Sequence, residues 1–111
     1  MMSVRGLFAA GTWALLAATL LPTSAHAQWH YCLAPSDGRH AVYLSAPLWS
    51  SLPMDELETS YRALLLSRGL SYSSIQCPKA GDETAARTMW QHTVAFNRQM
   101  NRDIVNLDWR P

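Results

Sequence analysis
Residues 29–45 read WHYCLAPSDGRHAVYLS, two apolar and aromatic runs on either side of a Pro-Ser-Asp-Gly cluster. Residues Trp29 to Ala34 favour an extended chain, as do His40 to Ser45, and Pro35 to Gly38 supply turn chemistry in which glycine can take positive φ. Two such runs around a short turn predict a β-hairpin. Side chains alternate along a strand, so Trp29, Tyr31 and Leu33 share one face of the first run, while His30, Cys32 and Ala34 share the other.

Cys32 has one possible partner, Cys77, 45 positions on. What it does depends on where the chain goes. Residues 1–27 carry one charge at Arg5, an apolar run from Leu7 to Leu21, the breaker Pro22, and Ala25-His26-Ala27 at the end. A charged start, a short apolar middle and an A-x-A end make a secretory signal peptide, cleaved to leave Gln28 first. The run is too short to span a bilayer as a helix, so no membrane span is expected after cleavage. An uncleaved leader tethering the chain to the envelope is the rival reading. Export places the cysteines in an oxidising compartment, periplasmic or secreted, where two cysteines most simply form one disulfide. No C-x-x-C occurs, which argues against redox work.

Taking residues 1–27 from the 111 leaves 84, enough for one small domain, 28–111. A chain of that size buries only about 60–65% of its unfolded surface, so its core is marginal unaided. Closing a loop of this length is worth about 4 kcal/mol in the chain-entropy model, a large share of a small domain's stability. Losing Arg5 from nine basic residues leaves eight against eight acidic ones. Such neutrality argues against nucleic acid, which calls for a basic face.

Beyond the hairpin, Ala46 to Leu52 reads as irregular, with Pro47 and an apolar Leu48-Trp49 pair. A helix then starts near Pro53, with Asp55 and Glu56 in its first turn, an apolar stripe of Leu57, Tyr61, Leu64 and Leu65, and Gly69 as its stop. Ser71 to Cys77 reads as a third strand, ended by Pro78. Asp82 caps a second helix whose apolar stripe is Ala86, Met89, Thr93, Phe96 and Met100, widened by Trp90. Val105, Leu107 and Trp109 alternate with polar positions in a last strand. The order β-β-α-β-α-β predicts an α/β (α+β) two-layer sandwich, a four-stranded mixed sheet with both helices on one face. A disulfide needs the two Cα atoms within about 7 Å, which puts the first and third strands side by side.

Chemistry is harder to find. His30, His40 and His92 stand in no metal-binding spacing, and no metal or other cofactor is expected. The serines lie in neither G-x-S-x-G nor S-x-x-K. Asp55, Glu56 and Glu58 suit a helix N-terminus better than a carboxylate pair. No catalytic residue is therefore assigned. The expectation is a small exported binding or accessory domain contacting an envelope protein or cell-wall component. A thiol or hydrolytic enzyme using a Cys/His pair is the alternative. The residues expected at the binding surface are Trp49, Asn97, Arg98, Asn101, Arg102 and Trp109, where amides and guanidinium groups lie close to aromatics.

Overall fold
The computed structural model describes residues 27–111, so the leader lies outside the described residues apart from Ala27. The strands are β1 (Gln28–His30), β2 (Leu33–Ser36), β3 (Ala41–Ser45), β4 (Leu48–Ser50), β5 (Lys79–Ala80) and β6 (Asp103–Leu107), and the helices are α1 (Met54–Ser67) and α2 (Glu83–Gln99). The expected single four-stranded sheet is replaced by two sheets of three strands, β4-β1-β5 and β2-β3-β6.

The division falls inside the hairpin, which is longer than expected and bent. β2 pairs antiparallel with β3, matching Leu33 to Leu44, and β1 pairs antiparallel with β4, matching His30 to Leu48. Between those two pairs, Tyr31 and Cys32 on one arm face Ser45, Ala46 and Pro47 on the other. The extra residue is a bulge, which bends a strand and sharpens its twist. Pro47 cannot donate to a ladder, which places the interruption there. Ser45 secures the bend: its Oγ accepts from the Cys32 amide at 2.7 Å and donates to the Ala46 carbonyl at 3.1 Å, while its own amide donates to the Cys32 carbonyl at 2.9 Å. The supposedly irregular Leu48–Ser50 is thus the hairpin's second arm continuing in the other sheet.

At the hairpin tip a 3-10 turn covers Asp37–Arg39, and the residue with positive φ is His40 (51°), not Gly38. The expected third strand is only partly regular. Leu33 and Gln76 exchange both backbone bonds, at 2.8 and 3.0 Å, and the Tyr31 amide donates to the Pro78 carbonyl at 3.4 Å. Pro78 has no N–H to return that bond, and three serines favour strand weakly, so the ladder is regular only at Lys79–Ala80. The register is nonetheless unbroken. Leu33 opposes Gln76, and His30 opposes Lys79, which sets Cys32 opposite Cys77. The disulfide joins them with Cα atoms 4.1 Å apart, at a non-hydrogen-bonded pair, where antiparallel strands come closest. The expected neighbours are neighbours.

β3 is the centre of the second sheet, with β2 antiparallel on one side and β6 parallel on the other. All five of its residues are buried. Tyr43 points into a core with Leu57, Tyr61 and Leu65 of α1, and Val42 and Leu44 pack with Val94 and Trp90 of α2. The helices therefore cover opposite faces of this sheet, not one face. The reason is visible in the residues: a strand apolar on both sides needs a cover on both.

Asp82 caps α2 as expected, its Oδ1 accepting from the Ala85 amide at 2.7 Å. The buried positions of that helix are Ala86, Val94 and Asn97, with Trp90 half-buried, while Phe96 and Met100 are exposed. At 3.6 residues per turn Phe96 lies about 160° around the axis from the buried Val94, which takes it off the sheet. Both helices end in a left-handed residue with paired reverse hydrogen bonds. Gly69 (φ 66°) closes α1 with Leu70 donating to Leu65, and Asn101 (φ 57°) closes α2 with Arg102 donating to Asn97.

Candidate functional site
β6 separates the expected surface residues into two groups. Asn97, Arg98, Asn101 and Arg102 lie at its start, Trp109 lies past its end, and Trp49 lies on β4 beyond the Ser45 bend.

The first group is mostly structural. Asn97 is only 2% exposed, its Nδ2 donating to the Thr93 carbonyl at 2.8 Å and its Oδ1 accepting from Arg102 Nη1 at 3.0 Å. Arg102 continues to Asp37 Oδ1 at 3.1 Å, tying the helix end to the hairpin turn. Asn101 supplies the left-handed cap. Arg98 is exposed. The amide and guanidinium groups that attracted attention in the sequence are largely engaged with one another.

The second group is open. Trp49 is 59% exposed on the middle of β4, where it faces its register partner Trp29 with ring centroids 5.6 Å apart. Trp109 is half-buried and stands edge-on to Tyr61 of α1, centroids 5.0 Å apart. Two clefts meet between these tryptophans. One, of about 350 Å³, is lined by Pro47, Leu48, Trp90, Asn106, Asp108 and Trp109 among others, and the second, of about 590 Å³ with Ala27 as part of its wall, runs past Trp49, Ser50 and Ser51. Leu48 and Arg110 line both, so the two form one trough. Trp90 is fixed there by its Nε1, which donates to the Ser45 carbonyl at 3.0 Å.

The polar rim of the trough is uncommitted. Ion pairs among the described residues join Arg87 to Glu83 and Arg102 to Asp37, so neither engages Asp108 or Arg110. Asn106, Asp108 and Arg110 are exposed and alternate along the chain leaving β6. Sequence reasoning placed Trp49 and Trp109 at the surface, beside Leu48, Asp108 and Arg110, and did not place Trp90 there. The polar side of the β6 alternation continues to Arg110; Trp90 carried no such signal, because in sequence it only widens the α2 stripe, and the fold brings Leu48 of β4 into the same cleft.

Other expected chemistries find little support in the geometry. Both cysteines are oxidised and no free cysteine remains among the described residues, so no thiolate is available as a nucleophile. His30 is buried, whereas His40 and His92 are exposed on other parts of the surface. Among the described residues no cluster of three or more His, Cys, Asp or Glu could hold a metal, and no helix is long and apolar enough to cross a membrane. No family model, curated protein or solved structure matches the chain.

Proposed function
We propose that residues 28–111 are an exported, disulfide-closed domain, periplasmic or secreted, that binds an envelope partner through the Trp49–Trp109 trough and performs no catalysis on it. The observation that carries this reading is the trough itself, an apolar floor with three uncommitted polar side chains converging on it. Small-ligand and peptide sites share that construction, and volumes of roughly 300–1,000 Å³ suit them. An exposed tryptophan packed at a tilt against a second one is a rigid anchor of large area. The disulfide supports export, because such bonds persist in oxidising compartments.

The test is hydrogen exchange on the oxidised domain with and without a soluble envelope fraction. The trough reading expects protection at Leu48–Leu52 and Asn106–Arg110 with none added at Arg98–Arg102. Protection centred on Arg98–Arg102, or absent altogether, overturns it. N-terminal sequencing of the exported protein should begin at Gln28; a sequence starting at Met1 would return the tethered reading.

A further inference from the structure
Resting on the trough as a binding site, we infer that its ligand is a glycan, an oligosaccharide of N-acetylated pyranose units occupying both clefts. A pyranose ring has an apolar C–H face and a polar rim. The face of an indole carries negative electrostatic potential and attracts those C–H groups, and Trp49 offers an exposed indole beside one cleft while Trp90 and Trp109 line the other. An acetamido group brings one N–H donor and one carbonyl acceptor. The trough answers both: the Asp108 carboxylate accepts, and the Arg110 guanidinium and the Asn106 amide donate.

Charge points the same way. Asp108 and Arg110 contribute one charge of each sign, so the side chains of the trough carry no excess charge with which to select an acidic or basic peptide, and a neutral ligand with hydrogen-bonding groups is the one they match. Length follows from the two clefts. Because Leu48 and Arg110 line both, sugar units in adjacent clefts can belong to one chain, whereas a single unit seated in one cleft leaves the other open.

The experiment titrates the oxidised domain with N-acetylglucosamine as monomer, dimer and tetramer, read by indole NMR signals and calorimetry. The tetramer should shift the Trp49, Trp90 and Trp109 indole signals and bind at least about tenfold more tightly than the monomer. Trp49→Ala and Arg110→Ala should each weaken tetramer binding about tenfold, and both sites are exposed enough for the fold to survive. Phe96→Ala, off the trough, should change nothing. No indole shift at millimolar tetramer, or equal affinity in Trp49→Ala, overturns the glycan. If an envelope protein freed of glycan still protects Asn106–Arg110 from exchange while the sugars do not, the ligand is a protein, and the trough stands without the glycan. If neither protects it, both readings fall.

Discussion

The Ser45 hydroxyl accepts the Cys32 amide at 2.7 Å across the bend that splits one hairpin between two sheets. Both residues are fully buried. Without the hydroxyl the Cys32 N–H has no partner at a point where water does not reach, and an unsatisfied buried donor costs about 1–3 kcal/mol. Ser45→Ala should lower stability by that amount in chemical denaturation and speed exchange at the Cys32 amide. Unchanged stability would mean that the bend is held by other contacts.

The same bend explains how far the fold could be read from the residues. Hairpin, helices, Asp82 cap, last strand and disulfide were all legible, because each rests on local chemistry or on a distance limit. The sheet count was not. Whether Trp29 to Ala34 is one strand or two depends on Pro47 and Ser45 across the hairpin, and no local pattern in Trp29–Ala34 records that pairing. The placement of helices on opposite faces was nearer to hand, since Ala41 to Leu44 has no polar alternation. For the proposed site, Trp49 and Trp109 stand out in the sequence because they are bulky aromatics in an irregular stretch and near the last residues given. That Asn97 and Arg102 hold each other was not legible, because amide and guanidinium groups look alike in sequence whether they await a ligand or bond one another.

Replacing Cys32 and Cys77 by serine together should lower stability by about 2–5 kcal/mol, the usual effect of losing a native disulfide from a small secreted domain. The bond fastens the Ser71–Pro78 segment where its ladder is irregular, so exchange in the double variant should rise most at Leu33 and Gln76, whose amides bond each other's carbonyls. An unchanged melting temperature would show that the ladder holds without sulfur.

The α2 terminus separates structural from binding roles. Asn101 holds φ 57°, a conformation open to glycine, tolerated by asparagine and costing most other residues about 1–2 kcal/mol. Asn101→Gly should leave stability level or slightly raised, whereas Asn101→Val should lower it by roughly that cost. Asn97→Ala should destabilise as well, because it takes the acceptor from Nη1 of Arg102, whose side chain is 19% exposed and keeps only Asp37. Arg98→Ala, on an open surface, should be silent in the same melts. Equal effects at Asn97 and Arg98 would contradict the network described.

Tyr61 is completely buried in the α1 core, and its hydroxyl has no hydrogen-bond partner among the described residues. Burial pushes that hydroxyl well above the usual tyrosine range, and the nearby Arg68 charge offsets this only in part. The folded chain therefore keeps a proton that the unfolded chain releases near pH 10. Below that pH the proton is bound in both states and stability is unaffected; above it the unfolded state is favoured, so stability falls as pH rises. In alkaline titration the Tyr61 tyrosinate absorbance should appear only together with unfolding. Tyr61→Phe keeps the ring that meets Trp109 while removing a desolvated hydroxyl, so at neutral pH it should be neutral to stabilising by up to about 1 kcal/mol. The variant should also lose part of the alkaline decline. A variant clearly less stable than the parent at neutral pH would show that the hydroxyl has a partner in solution.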